Sequence, residues 1–258
     1  MSPIPPGAGP RTAGSGSTGP ISTGPISTGP AGTVIVLAKA PVPGRAKTRL
    51  CPPATPEEAA AIAAAALLDT LGAVAAVPRS RTLVAFTGLL EEAARSAEIG
   101  AALDSVERTA QRGPDLGSRI VAAHADAAAR HPGAPSLQIG MDTPQVDPTL
   151  LGEGLARLQR VDAVLGPAAD GGWWALGLAD PALAGPVAGV PMSRSDTGER
   201  TLRALRDAGL RVELLPELTD VDTAADARAV AATVPGSRFA MAVDLVFGAV
   251  PIDAGRAR

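Results

Sequence analysis

The chain has 258 residues, of which 46% are apolar, so length and composition suit one large globular domain with or without appendages. The formal net charge of −3 at pH 7 argues against a nucleic-acid binder, because such domains usually present a net basic surface. A single cysteine, Cys51, excludes an internal disulfide and a cysteine-rich zinc site. Two histidines, His124 and His131, are too few for a histidine-based metal site, and we interpret both as structural or surface residues.

The N-terminal 32 residues differ in composition from the remainder of the chain. From Ser17 onward they repeat the pentapeptide Ser-Thr-Gly-Pro-Ile, and they offer little bulk to bury. Such a segment cannot offset the entropy lost on ordering, so we expect residues 1–32 to form a disordered tail. No apolar run approaches the ~20 residues of a membrane span, and no secretory signal is present. We therefore expect a cytoplasmic protein without a membrane span.

From residue 33 onward, strand-like and helix-like segments alternate. Apolar and β-branched runs predict strands at 34–38, 81–86, 103–109, 137–141, 161–165, 173–178 and 211–215. Helices are predicted at 55–77, 89–97, 115–130, 148–160, 197–208 and 223–232. This alternation predicts an α/β fold with a mostly parallel central sheet and helices on both faces. We place one nucleotide-binding domain at 33–235 and leave 236–258 as an unassigned C-terminal tail.

The first predicted strand leads directly into a loop with four cations, Lys39, Arg45, Lys47 and Arg49. Prolines and Gly44 keep this loop out of a helix and shape its turns. In open α/β sheets, ligands bind in the crevice beyond the carboxyl ends of the strands. A solvated surface loop is the simpler interpretation, but four cations among proline and glycine favour a site for a nucleotide di- or triphosphate.

Two carboxylates are candidates for a metal site. Asp142 stands at the end of the strand predicted at 137–141, and Pro144 keeps it out of a following helix. Asp222 comes just before the last predicted helix. A turn-forming role for Asp142, and a helix cap formed by Thr223 and Asp226, are the structural alternatives. Together the two acids suit a hard divalent cation, since Mg²⁺ typically uses one or two carboxylates plus substrate phosphates.

A glycine-rich turn, Asp170-Gly171-Gly172, precedes the two tryptophans of the chain. Such a turn can direct backbone amides at a ligand, although a plain Asp-Gly hairpin is the alternative. Trp173 and Trp174 would lie on opposite sides of a strand, which predicts one in the core and one in the pocket. We assign Trp174 to the pocket.

A second loop, at 111–117, precedes the predicted helix at 115–130. Its Asp115 is a candidate for the nucleotide site, because a helix N-terminus attracts anions. A helix N-cap is the structural alternative for this residue.

Four motifs and a late acidic element occur in a recognisable order: Lys39-x-Pro41-x-x-Gly44-x-x-Lys47-Thr48-Arg49-Leu50, Gly113-Pro114-Asp115-Leu116-Gly117, Gly140-Met141-Asp142-Thr143-Pro144, Gly166-Pro167-x-x-Asp170-Gly171-Gly172 and Asp220-Val221-Asp222-Thr223. Over about 34–230 this order resembles a bacterial family of GT-A-like proteins, grouped with glycosyltransferases and labelled as arsenosugar-biosynthesis type. The acidic elements are shared more widely, including with cofactor guanylyltransferases. The resemblance implies a nucleotide-diphospho-sugar transferase fold.

The resemblance also implies roles for the motif residues. It assigns the cationic loop to phosphate binding, and we expect nucleotide contacts from Lys39, Pro41, Gly44, Arg45, Lys47, Thr48, Arg49 and Asp115. It assigns Asp142 to the metal, Mg²⁺ or Mn²⁺, and Asp222 maps onto a late acidic position that often gives the second contact. It assigns Asp170, Gly171 and Gly172 to the sugar or acceptor side, together with our Trp174.

Three functions are compatible with these features. The leading hypothesis is a metal-dependent glycosyltransferase that uses a nucleotide sugar and a small-molecule acceptor, with Lys47 and Arg49 stabilising the leaving group and Asp170 as general base. The second is a nucleotidyltransferase that joins a nucleoside triphosphate to a phosphorylated small molecule and releases pyrophosphate. The cationic loop suits that chemistry well, because it involves more phosphate charge. A nucleotide-binding regulator without turnover is the third, and the intact acids and cationic loop argue against it.

Overall fold

A seven-stranded sheet runs through the centre of the computed structural model, which describes Met1 and residues 32–248. Its strands are β1 (Gly32–Lys39), β2 (Ser80–Thr87), β3 (Glu107–Ala110), β4 (Ser136–Gly140), β5 (Ala163–Pro167), β6 (Trp173–Leu178) and β7 (Val212–Leu214). The helices are α1 (Pro56–Ala75), α2 (Ser96–Asp104), α3 (Leu116–Arg130), α4 (Pro148–Arg157), α5 (Thr197–Asp207), α6 (Ala224–Thr233) and α7 (Arg238–Phe247). Short 3₁₀ turns lie at Thr48–Leu50, Leu90–Glu92 and Pro181–Gly189.

The strand order is β3-β2-β1-β4-β6-β5-β7, and every neighbouring pair is parallel except those that involve β6. β6 runs antiparallel because only residues 168–172 separate it from β5, too few for a crossover between parallel strands. The predicted fold class, a mostly parallel sheet, is therefore confirmed.

Alternating side chains of β1 show that helices cover both faces of the sheet. Val34 and Val36 pack into a core with side chains of α1, α2 and α4. Ile35 points to the opposite face and packs against α3. Because all three are fully buried, the strand has an uninterrupted apolar sequence, as expected for a strand covered on both sides.

Helix α1 begins with the predicted capping box, in which Thr55 and Glu58 exchange side-chain and backbone hydrogen bonds. It has 20 residues and a mean hydropathy of 1.6, so by length and composition it could cross a membrane. The expectation that no apolar run approaches that length is therefore wrong for α1. However, 67% of the relevant window is buried within the protein, as is typical of a core helix.

The prediction for residues 89–109 is partly wrong. The expected helix at 89–97 is replaced by a 3₁₀ turn and by α2, which begins only at Ser96. Arg95 adopts a left-handed conformation with φ of 55°, so a right-handed helix cannot continue through this residue and α2 begins after it. The buried residues Ile99 and Leu103, one helical turn apart, then anchor α2, so the predicted strand shortens to β3.

The folded domain extends beyond the predicted boundary at 235. Helix α7, in the segment without a sequence assignment, packs against α1 and α6 through the buried side chain of Phe239. The carboxylate of Asp69 on α1 accepts a hydrogen bond of 2.8 Å from the Phe239 amide and pairs with Arg238. The predicted N-terminal tail, residues 2–31, and residues 249–258 lie outside the described residues.

The burial of one histidine predicts that the fold loses stability at low pH. His124 on α3 is fully buried, its Nδ1 lies 2.7 Å from Ser136 Oγ, and burial lowers its pKa from 6.5 to about 3. Because the unfolded chain then takes up the proton more readily, stability is lost as the pH falls below 6.5. We expect this group to cost ~2 kcal/mol of unfolding free energy at pH 5 relative to pH 8.

Urea titrations of the wild type and of His124→Asn at several pH values measure this cost. The variant should show a flatter dependence between pH 8 and 5. Parallel profiles for the two proteins would show that His124 is not the sensitive group.

Candidate active site

A cleft of about 730 Å³ opens where β1 and β4 end, at the edge of the sheet predicted from the sequence. It is bounded by the loop after β1, the turn between β5 and β6, and the segments that precede α5 and α6. Predicted site residues that line this cleft are Lys39, Lys47, Arg49, Asp142, Asp170, Gly172 and Asp222. The structure thus brings the main cations and acids of the sequence analysis into one cavity.

Lys47 is the centre of this cleft. Its ammonium lies 2.6 Å from Asp142 Oδ2 and 4.0 Å from Asp222 Oδ1, and it donates a hydrogen bond to the carbonyl of Val221. Only 11% of its side chain is exposed. These contacts join the loop after β1 to the end of β4 and to the segment before α6.

The charge of Lys47 determines the ionisation of Asp142. Desolvation raises the pKa of this half-buried carboxyl, but the ammonium groups of Lys47 and Lys39 outweigh desolvation and hold the pKa below its ordinary value. Asp142 is therefore an anion at neutral pH, as a ligand for a cation must be.

Two further cations of the loop remain accessible at the cleft. Arg49 Nη1 donates a hydrogen bond of 2.6 Å to Asp222 Oδ2, yet 72% of its side chain is exposed. Lys39 is exposed, and its Nζ makes only a long contact of 3.4 Å with the carbonyl of Arg45. Lys39 can therefore turn toward a phosphate directly, and Arg49 can do so by exchanging its contact with Asp222.

Asp220 is a site residue to which the sequence analysis gave no role. Burial, followed by the negative charges of Asp142 and Asp170, raises its pKa to about 7. In the sequence, Asp220 stands two residues before Asp222, the residue of this segment that was predicted to bind the metal. Its raised pKa reflects burial first and the neighbouring carboxylates of Asp142 and Asp170 second.

The carboxylate oxygens of the cleft are suitable ligands for a divalent cation. Asp142 and Asp222 offer the oxygen ligands that Mg²⁺ and Mn²⁺ accept, and a bound cation would offset the repulsion between the carboxylates of Asp142, Asp170 and Asp220. Within residues 32–248, no group of three or more acidic, cysteine or histidine side chains is arranged to hold a metal ion. A metal here would therefore take a few protein carboxylates and complete its shell with substrate phosphates or water.

Several predicted nucleotide contacts lie outside the cleft lining. Arg45 points away and pairs with Glu92 at 3.2 Å, with 74% of its side chain exposed. Asp115 caps α3, where its carboxylate accepts a hydrogen bond of 2.8 Å from the Ser118 amide, so the N-cap alternative is the arrangement observed. The other predicted nucleotide contacts that lie outside the lining are Pro41, Gly44 and Thr48.

The two tryptophans have the opposite placement to the one expected. Trp174 is 2% exposed and donates Nε1 to the carbonyl of Pro216 at 2.9 Å, whereas Trp173 lines the cleft. Gly166 on the neighbouring strand makes this possible, because a Cβ there would lie 2.5 Å from the Trp174 ring. The assignment of Trp174 to the pocket is corrected to Trp173.

The turn before Trp173 is a hairpin, as the structural alternative proposed, and it also borders the cleft. Gly171 has φ of +86°, and a Cβ at this position would lie 1.9 Å from the carbonyl oxygen of Ser195. The Asp170 carboxylate accepts a hydrogen bond of 2.7 Å from the Gly172 amide, which orients it at the turn.

Among the polar residues of the lining that were not predicted are Gln111 and Arg119. Gln111 donates its amide to the carbonyls of Ala38 and Ala85 at 2.8 and 3.0 Å, and so joins the ends of β1 and β2. Arg119 on α3 donates Nε to the carbonyl of Gly113 at 3.2 Å, and together with Arg194 it adds to the three loop cations of the lining.

Comparisons with known proteins give one family match and several structural relatives. The family described as "Uncharacterized protein conserved in bacteria (DUF2064)" matches residues 70–194. A structure from Desulfovibrio desulfuricans G20, provisionally assigned as a nucleotide-diphospho-sugar transferase, is 26% identical with a TM-score of 0.74, over 84% of this chain and 95% of that one. No curated protein matches the chain.

More distant structures share the fold. Rv0371c from Mycobacterium tuberculosis H37Rv is 22% identical with a TM-score of 0.50, over 77% of this chain and 96% of that one. A 4-diphosphocytidyl-2C-methyl-D-erythritol synthase from Anaerococcus prevotii DSM 20548 is 10% identical with a TM-score of 0.51, over 79% and 96% of the two chains. The fold is thus the one found in nucleotide-diphospho-sugar transferases and nucleotidyltransferases. These matches do not extend to an arsenosugar-biosynthesis subtype.

Lys47 should contribute to stability as well as to the site. We expect Lys47→Met to lower the unfolding free energy by ~1–3 kcal/mol, because Asp142 and the Val221 carbonyl lose a partly buried partner. Arg45→Met, in the same loop, should cost less than ~1 kcal/mol, because its pair with Glu92 is exposed. Urea denaturation at pH 7.5 compares the two; equal losses would contradict the central position of Lys47.

Substitution of each tryptophan by phenylalanine should show which of the two lies in the core and which in the cleft. Trp174→Phe removes part of a buried ring and the donor to the Pro216 carbonyl and should cost ~2–3 kcal/mol, whereas Trp173→Phe should cost ~1 kcal/mol or less. Because the chain has only two tryptophans, each variant also reports fluorescence from the other alone. A nucleotide that enters the cleft should change the emission of Trp174→Phe and leave that of Trp173→Phe nearly unchanged. The reverse result would place the ligand elsewhere.

Proposed function

We propose that the protein is a metal-dependent glycosyltransferase that uses a nucleotide-diphospho-sugar donor and a small-molecule acceptor. The observation that carries this proposal is the meeting of Lys47 and Arg49 with Asp142 and Asp222 in one cleft at the carboxyl edge of the sheet. The similarity to a structure provisionally assigned to this class, at 26% identity, supports it.

In this proposal the cationic side of the cleft binds the diphosphate of the donor. Lys47, Arg49 and Lys39 stabilise the negative charge that develops on the departing nucleoside diphosphate. Asp142 and Asp222 would hold Mg²⁺ or Mn²⁺, which when bound supplies further neutralisation of that charge. Lys47 and Arg49 exchange part of their carboxylate contacts for phosphate oxygens, which are charged acceptors of the same kind.

The acceptor enters on the side of the β5–β6 turn. Asp170 takes the proton of the acceptor hydroxyl as its oxygen attacks the anomeric carbon, while the bond from that carbon to the phosphate oxygen breaks. The hydrogen bond from the Gly172 amide orients the Asp170 carboxylate for this step. We place the reaction in the cytoplasm.

A nucleotidyltransferase is the second candidate, and the number of cations favours it. Lys39, Lys47, Arg49 and Arg119 all line the cleft, which suits a triphosphate and an acceptor phosphate better than a diphosphate alone. In that reaction an already ionised phosphate attacks the α-phosphate and pyrophosphate leaves, so no general base is needed. Pyrophosphate release from a nucleoside triphosphate in the presence of phosphorylated acceptors would favour this candidate.

A thermal-shift screen of nucleotide sugars and nucleoside triphosphates, with and without Mn²⁺, tests the proposal. A ligand at 100 times its dissociation constant stabilises the native state by ~2.7 kcal/mol, which is easily measured. We expect Mn²⁺ to increase the shift for the wild type and for Asp104→Asn, whose carboxylate is exposed far from the cleft lining. Asp142→Asn should lose the Mn²⁺-dependent part. A Mn²⁺-dependent shift of wild-type size in Asp142→Asn would refute the assigned metal site.

A further inference from the structure

Part of the cleft lining lies on the α3 side of the sheet. We call it the inner crevice and define it by the lining residues Leu37, Ile120, Gln138, Trp173 and Met192. They come from β1, α3, β4, β6 and the segment before α5, and four of the five are apolar. None of them has a part in the phosphate and metal chemistry proposed above.

Gln138 of β4 is the polar residue of this inner crevice. In the sheet it is paired with Ile35 of β1 and Leu176 of β6, both of which pack on the α3 side. Neighbouring residues at the same level of a sheet point to the same face, so the Gln138 side chain also points toward α3. Gly140, two residues further along β4 on that face, has no side chain to block access from the cleft.

The amide of Gln138 is buried without a complete set of partners. The residue is 3% exposed, and its Oε1 has no hydrogen-bond partner among the described residues. Rotation of the amide by 180° would put its nitrogen in the same place, so one polar end stays unpaired in either orientation. Gln111 in the same cleft, by contrast, uses its amide to bridge two carbonyls. A buried, unpaired polar atom is costly, and a ligand group is one way to satisfy it.

We propose that the inner crevice binds a neutral hydroxylated ring and that Gln138 determines specificity there by accepting a hydrogen bond from a ring hydroxyl. The indole of Trp173 and the side chains of Leu37 and Met192 offer apolar surface to the C–H face of such a ring. None of the five residues that define the crevice is charged, and a charged group would lose hydration against its apolar side chains. The inference rests on the proposed function, in which this ring is the sugar of the nucleotide-sugar donor; a free acceptor sugar has the same chemistry.

The test uses the full chain with Mn²⁺ and the variant Gln138→Met, which keeps the length of the side chain and removes its amide. Gln159→Met, at an exposed position after α4, is the matched control. Isothermal titration compares nucleotide sugars such as UDP-glucose and GDP-mannose with UDP and GDP alone, and with free glucose and mannose. We expect the wild type to bind one nucleotide sugar more tightly than its diphosphate. Gln138→Met should lose about five- to tenfold of that preference, leave the affinity for the diphosphate unchanged and melt no lower than the wild type.

The outcomes separate this inference from the proposed function. A markedly lower melting temperature of Gln138→Met, with equal losses for UDP and UDP-glucose, would make Gln138 a structural residue and overturn the inference. Unchanged sugar preference in Gln138→Met would also overturn it. If free glucose or mannose binds the wild type and the variant binds it at least fivefold more weakly, the ring is the acceptor and the inference stands. A wild type that binds no nucleotide refutes the proposed function, and the crevice inference falls only if the free sugars also fail to bind.

Discussion

The contact between the Lys47 ammonium and the Asp142 carboxylate is the interaction on which the whole cleft depends. At 2.6 Å it joins the loop after the first strand to the end of the fourth, and the Val221 carbonyl adds the segment before α6. Because the lysine is almost buried, its charge acts in a weakly screened environment and keeps Asp142 ionised. Three segments that are far apart in sequence thereby form one polar surface with both signs of charge.

The other half of the cleft depends on close backbone packing. Gly171 approaches the Ser195 carbonyl so closely that no side chain fits, and its own carbonyl accepts a hydrogen bond of 2.8 Å from the Gly198 amide. The β5–β6 hairpin is thus held against the start of α5. This packing places Asp170 opposite the cationic loop and opens the inner crevice beside Trp173.

The sequence predicted the parts of the site that lie at strand ends, because the carboxyl ends of neighbouring strands meet in space. It could not predict that Arg45 turns away, since its partner Glu92 is 47 residues distant. The sequence also could not show which tryptophan lies in the core, because the space for the Trp174 ring is made by Gly166 on another strand. The raised pKa of Asp220 likewise follows from its burial and from carboxylates that are distant in sequence, Asp142 and Asp170. Boundaries near α2 failed for a local reason, the left-handed Arg95.

Crystals grown with Mn²⁺ and a nucleoside diphosphate, and measured at the manganese absorption edge, test the central claim most directly. The account predicts an anomalous peak within bonding distance of the Asp142 and Asp222 carboxylates. It also predicts a diphosphate that contacts both the ion and Lys47. A peak remote from these aspartates, or a diphosphate bound outside the cleft, would contradict it.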